Sequence, residues 1–584
     1  MLNLLLNKKA FITSLILFFI CLILYTWVRV PMFADVNLYK DWNSDNAIFV
    51  LMSEDIKTLT DFPFYYWGGN YLGPFNNMAM AFTQFLFEVF NFSENVPHIS
   101  DKSFIIGPFV ASFTCFWLLF LAYMVLFKAL TLQYKTRNVA LVLIILSLGN
   151  ALLIKTSLRP LGPEVALLLG ALILWRGLIL VRSNTFKNQL LLGLSIGLSW
   201  WMNQITVFVI APVFFHFISP LPEYSFFRNN YPWKDSLLLK ARSLNHDKLK
   251  KPVRAFLLFS YLLIGLNLLM GAFVAVMDGV NTRLWGIKLK IHNGFSPMKT
   301  SIIIFIVFQL ILWFFLNRES RKKVIYYAKK IKPFLIGFFI GYGPVVIGRV
   351  LGFYEKGYKP TFKFIAPNNL LPYWQRLFTD FFPKLMGVEA TAQIVLLYTG
   401  LAILLLSSFR NYKSQIKNYL LLRSGSHSER SICWAIIYFN LIYIFFCERS
   451  RNQYAFRYAI LSIPVILIYL TTFLSWKRKG LSIIATTLII LIGSGFYRQG
   501  QREIDRMTAS FDIRPVVKKI LSSNCEVIYA DYFWAYLLEY FSQKERLFFV
   551  SRGFKRTPTR NLNLIEKDAI KCDFNEIDKS IREI

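Results

Sequence analysis

Apolar runs of membrane-spanning length recur along this chain, separated by short polar or basic stretches, and the pattern predicts a polytopic helical bundle. The runs stand at 10–28, 104–128, 139–154, 163–181, 254–275, 300–316, 333–350, 394–408, 431–447, 457–474 and 480–496. One further stretch, 188–219, is too long for a comfortable single pass and is interrupted by Trp200-Trp201-Met202-Asn203-Gln204. Between the first two runs the period changes. Ile48, Leu51, Met52, Ile56 and Leu59 fall at helical spacing after Asp45, and Met78, Phe82, Phe85, Leu86 and Val89 do so after the turn Trp67–Pro74. Both helices are expected to lie on the membrane surface. Near the carboxyl terminus, 526–530, 531–542 and 547–550 read as strand, helix and strand, a small α/β appendage.

Charge orients the bundle. The chain carries 66 Lys and Arg against 33 Asp and Glu, a net charge of +33. Basic residues gather at 128–137, 228–254, 318–332, 410–430 and 477–479, where the positive-inside rule places cytoplasmic loops. Both ends of 188–219 are basic, so this stretch must cross and return as two short helices. The resulting fold class is an all-α polytopic membrane protein of about thirteen passes, amino terminus inside and carboxyl terminus outside. Residues 1–499 form the membrane domain and 500–584 a small extracytoplasmic α/β tail. The outer side holds loops 29–103, 276–299 and 351–393, the segment 448–456 and short turns at 155–162 and 200–204, while 220–253 is a cytoplasmic basic loop. Basic residues clustered in short loops between apolar runs, where topology accounts for them, argue against nucleic acid as the partner. The first run has no small-residue cleavage site behind it and reads as a retained helix. No internal repeat is present, which weighs against an inverted-repeat transporter.

Candidate chemistry lies in the outer segments. Asp45 opens the first surface helix, as a helix cap or as a functional carboxylate, and Asp41 stands just before it. Arg449, Arg451 and Arg457 run against the positive-inside trend and need an anion, although Glu448 could satisfy one of them. Arg159, Lys359, Lys363 and Arg376 are further outer cations. Glu164 either caps its helix or offers a second polar group, and Asn203 either ends a half-helix or meets substrate. Six cysteines show no metal spacing; Cys525 and Cys572 share the tail and either pair or stay free thiols. His98 and His292 are isolated, so no metal is assigned, and a divalent metal stays open.

Several stretches, taken in order, resemble one family. These are SDNAIFVLMSEDI (44–56), FPFYYWGGNYLGPF (62–75), SLRPLGPEVALLLG (157–170), GLSIGLSWWMNQITVFVIAP (193–212), RYAILSIPVI (457–466) and VIYADYFWAYLLEYFS (527–542). The chain resembles the GT-C membrane glycosyltransferases of the protein-mannosyltransferase and aminoarabinose-transferase type, the glycosyltransferase family 39-like group. That resemblance implies a polyprenyl-phosphate-linked sugar donor, a lipid, glycan or protein acceptor, and inversion at the anomeric carbon. It makes Asp45 the catalytic base, with Asp41 as the neighbouring candidate. Arg457, Arg451, Arg449 and Arg159 would bind the donor phosphate, and Trp67, Asn70, Tyr71, Glu164, Asn203 and Tyr458 would contact substrate. In the family a second carboxylate follows the first; here that position is Asn46. The compact architecture and the absence of an obvious secretory-pathway tag favour a bacterial envelope, which places the expected protein in the plasma membrane, the bacterial inner membrane. Competing readings are a lipid-linked glycan flippase or transporter, a glycan polymerase or ligase, and an inactive scaffold.

Overall fold

The computed structural model describes residues 2–34, 42, 44–59, 73–90, 102–160, 162–203, 206–207, 209–210, 212–213, 280–284, 287–291, 318–350, 367–420, 460, 462–475, 479–509, 514–523, 525, 527–530, 532–542, 548–551 and 571–573. In chain order they form α1 (Leu2–Ala34), α2 (Ser44–Thr58), α3 (Phe75–Val89), α4 (Lys102–Thr131), α5 (Thr136–Leu148), α6 (Ala151–Leu158), α7 (Pro163–Arg182) and α8 (Phe186–Met202). A hairpin follows, β1 (Val280–Leu284) paired antiparallel with β2 (Ile287–Ile291). Then come α9 (Arg318–Val350), α10 (Pro367–Arg376), a π turn at Leu377–Phe381, α11 (Phe382–Leu385), α12 (Thr391–Leu420), α13 (Ser462–Thr472) and α14 (Lys479–Thr508). The chain closes with α15 (Arg514–Leu521), β3 (Val527–Ala530), α16 (Tyr532–Phe541), β4 (Phe548–Ser551) and β5 (Lys571–Asp573).

Among the described residues four helical segments are long and apolar enough to cross a membrane: Gly107–Thr131, Pro163–Arg182, Ile331–Gly348 and Lys479–Thr508. Shorter apolar helices stand at Ile16–Pro31, Thr391–Ser407 and Ile463–Thr472. The expected passes at 254–275, 300–316 and 431–447, and the basic loop 220–253, lie outside the described residues.

Three sequence expectations change. The run 139–154 is not one straight helix. Gly149 takes a left-handed backbone (φ 71°) that a side chain would strain, and the Asn150 side chain accepts from Leu153 N at 2.9 Å to start α6, so α5 and α6 meet at 73°. Residues 155–158, expected in a turn, are therefore helical. The third change is in α2, which is no surface helix. Every residue from Ala47 to Met52 is buried, because α3, α4 and α16 all pack around it. By contrast α3 buries Asn76, Asn77, Met80, Ala81 and Gln84 and leaves Met78, Phe82, Phe85 and Val89 exposed, the arrangement of a helix whose apolar face meets lipid.

The tightest helix pair is α8 with α9. A Cβ placed on Gly193 would stand 2.0 Å from Phe334 O, and one on Gly337 would stand 2.1 Å from Leu190 O. Gly197 and Gly341 repeat the contact one turn on, so two small-xxx-small stripes face each other, backbone to backbone.

Arg29 is fully buried in α1 and holds the α5–α6 break. Its Nε donates to Ser157 Oγ at 2.7 Å, Nη1 donates to Ser147 O and Tyr25 O at 2.9 Å each, and the guanidinium lies 3.8 Å from the Tyr25 ring centroid. Arg29→Ala removes the donor to Ser147 O and Ser157 Oγ on the two sides of the break, at about 1–3 kcal/mol for each buried group left unsatisfied. The expected result is a clear drop in thermal midpoint in detergent, with Arg29→Lys losing less; an unchanged midpoint for the alanine variant would refute this role.

The carboxyl-terminal strands form a parallel sheet in the order β4-β3-β5, and α16 is the crossover between β3 and β4. Cys525 and Cys572 are disulfide-bonded, closing a 47-residue separation worth about 4 kcal/mol in chain-entropy terms.

Candidate functional site

Several chain segments converge where α2, α3 and α7 begin. Asn77 Nδ2 donates to Phe49 O at 2.9 Å near the start of the pair α2 and α3, and Lys57 pairs with Glu88 toward its end, so the two helices run parallel and begin together. Asn46 is buried in the first turn of α2, and its Nδ2 donates to Pro160 O at 3.4 Å across 114 residues of sequence. The loop it reaches is pinned from behind, where Ser112 Oγ of α4 donates to Leu158 O at 2.7 Å and Arg29 holds Ser157. The Asn46–Pro160 contact thus joins the segment that carries Asp45 to the segment that carries the buried Arg159.

Beside them lies a polar knot around Gly162. Glu164 Oε1 accepts from Gly162 N at 3.0 Å and from Asn76 Nδ2, while Asn203 Nδ2 donates to Gly162 O at 2.9 Å. A buried carboxylate needs such partners, and the first turn of α7 adds the positive end of its dipole. The knot also joins the two glycine-bearing motifs, since Gly73 N donates to Met202 O at 2.8 Å. The break expected within 200–204 falls at Met202–Asn203, where α8 stops.

The sequence candidates are therefore placed unequally. Arg159, Glu164 and Asn203 are all buried in this region, with Glu164 and Asn203 gripping the N–H and the carbonyl of one residue, Gly162. Asp45 is the second residue of α2. Asp41, Trp67, Asn70, Tyr71, Arg449, Arg451, Arg457, Tyr458, His98, His292, Lys359 and Lys363 lie outside the described residues, and Arg376 ends α10, a separate element. Residues that sequence reasoning passed over are Arg29, Asn76 and Asn77. Arg29 carried one signal, a cation closing an apolar run; the two amides carried none. Among the described residues no group of three or more His, Cys, Asp or Glu side chains is placed to hold a metal ion.

The structure explains why position 46 is not acidic. A carboxylate there would face the Pro160 carbonyl, whereas the amide can donate to it. Asn46→Asp should cost about 1–3 kcal/mol as a buried mismatch, read as a lowered thermal midpoint. Unchanged stability would mean that this contact does not hold the two segments together.

No family model matches the chain, and no curated protein matches it in sequence. Among solved structures it is similar to the crystal structure of the Archaeoglobus fulgidus oligosaccharyltransferase in complex with Zn and sulfate, with TM-score 0.43 and 11% identity, over 92% of this chain and 62% of that one. The apo form of that protein gives TM-score 0.44 and 12% identity, over 93% of this chain and 65% of that one. Archaeal oligosaccharyltransferase AglB from Archaeoglobus fulgidus, in complex with an inhibitory peptide and a dolichol-phosphate, gives 0.44 and 12%, over 94% and 65%. The chain spans less than two thirds of the length of these proteins, and similarity at this level assigns it to no family.

Proposed function

We propose that the chain is a GT-C-like membrane glycosyltransferase that moves a sugar from a polyprenyl-phosphate carrier to a lipid, glycan or protein acceptor on the outer face of the plasma membrane, in bacteria the inner membrane. The observation that carries the reading is the Asn46–Pro160 contact, which brings the acid-bearing start of α2 to the Arg159 loop. A carboxylate and a cation drawn from distant segments are the two groups that this transfer requires.

Asp45 takes the proton from the acceptor hydroxyl, with Asp41 as the alternative base. The hydroxyl oxygen attacks the anomeric carbon, the carbon–oxygen bond to phosphate breaks, and the phosphate leaves with the bonding electron pair, inverting the centre. Because the leaving group is already anionic, it needs cations more than a general acid, and Arg159, Arg449, Arg451 and Arg457 supply them. Glu164 and Asn203 hold the loop between Arg159 and α7, and Trp67, Asn70, Tyr71 and Tyr458 contact sugar or acceptor. The Cys525–Cys572 disulfide supports an oxidising, outer location for the tail. The polar groups of the knot sit at helix ends, which favours transfer at a membrane face over a flippase pathway through the bilayer middle.

The test is reconstitution in proteoliposomes with labelled polyprenyl-phosphate sugars and a crude envelope acceptor extract. Carrier consumed with single sugars appearing on acceptor is the expected result. Label crossing the bilayer with its carrier intact would instead identify a flippase, and long product ladders a polymerase.

A further inference from the structure

The helix α16, YFWAYLLEYF, is apolar nearly all round. A crossover helix covering one face of a small sheet needs only one apolar stripe, so a second surface must be covered as well. That surface lies against α2: Ala535, Tyr536, Leu537, Leu538 and Phe541 share one buried cluster with Trp42, Met80 and Ala47–Met52. Tyr540 completes the junction. Its ring centroid stands 6.2 Å from that of Trp42, three residues before Asp45, and a Cβ on Gly107 of α4 would stand 1.5 Å from its hydroxyl oxygen. A side chain at 107 would force this ring to shift. Burial, with the nearby Glu54 carboxylate, holds the Tyr540 phenol above its ordinary pKa, so it meets this surface uncharged. The sheet under α16 is in turn tied by Cys525, just before the central strand β3, to Cys572 in the edge strand β5.

We infer that the carboxyl-terminal α/β unit is a disulfide-tied clamp that positions the start of α2, with Trp42, Tyr540 and Gly107 as its contact point. Its catalytic consequence rests on the proposed role of Asp45; its structural content does not. Without the clamp, α2 would have a continuous apolar face uncovered, with the Asn46 and Asn77 hydrogen bonds and its packing on α3 and α4 left to hold it.

Hydrogen exchange on the full chain in nanodiscs tests the inference. Five samples are compared with the native chain: the dithiothreitol-reduced protein, Cys572→Ser, Gly107→Ala, Tyr540→Ala and Tyr540→Phe. Dithiothreitol gives two electrons and two protons to the sulfur–sulfur bond and leaves as its cyclic disulfide. Amides of 46–58 are expected to exchange at least tenfold faster in the first four, while Tyr540→Phe matches the native chain and amides of α7 and α8 stay protected in all. Native-like protection of 46–58 after β3 and β5 amides have opened would overturn the clamp, as would native-like protection in both Gly107→Ala and Tyr540→Ala. In the transfer assay, kcat should fall with exchange while KM for the carrier holds; kcat unchanged in variants whose α2 has loosened would refute positioning. If the wild type transfers nothing, the proposed function fails and the exchange data still decide the clamp.

Discussion

Leucine in place of Gly193 or Gly337 is expected to leave no stably folded protein. A Cβ at either position would fall about 2 Å from a backbone carbonyl oxygen of the facing helix, and backbone cannot turn aside as a side chain can. Ordinary overpacking costs about 1–3 kcal/mol because neighbouring side chains rotate away. Here α8 and α9 must separate along their length, losing the dispersion contacts that hold helices together in a bilayer, where no hydrophobic force substitutes for them. Even Gly197→Ala, with its methyl 2.3 Å from Phe338 O, should lower the unfolding midpoint in detergent. Leucine variants that express and melt like the wild type would show that the two helices are not in backbone contact.

Much of the scaffold could be read from hydrophobic pattern, because pattern reports the environment of a long helix. The runs at 104–128, 163–181 and 480–496 lie within α4, α7 and α14, and the interruption at 200–204 holds the end of α8. The α5–α6 break was not legible. Gly149 and Asn150 are two residues within an apolar run, and only tertiary partners such as Arg29 make the bend stable. The burial of α2 was hidden for a similar reason: its amphipathic spacing fits a surface helix equally well until α16, from nearly 500 residues away, is seen to cover it. In the site, Arg159 and Glu164 drew attention by charge against an apolar background. Asn46, Asn76 and Asn77 do comparable positioning work by amide hydrogen bonds, which leave no trace in charge or spacing.

Asp45→Asn is the other substitution with a large expected effect. It keeps size and hydrogen-bonding reach but replaces the basic carboxylate with an amide too weakly basic to take a proton at neutral pH, and general-base catalysis is typically worth about 100- to 10,000-fold in rate. Stability should change little, since Asn46, Asn77 and the α16 cluster anchor α2. Asp41→Asn separates the two candidate bases, because it should leave most of the rate in place.

The most direct measurement is therefore the rate of label transfer from polyprenyl-phosphate sugar to acceptor in proteoliposomes holding equal amounts of folded wild type or Asp45→Asn. The account predicts transfer by the wild type and a loss of about 100-fold or more in the variant. Equal rates from the two proteins would contradict it.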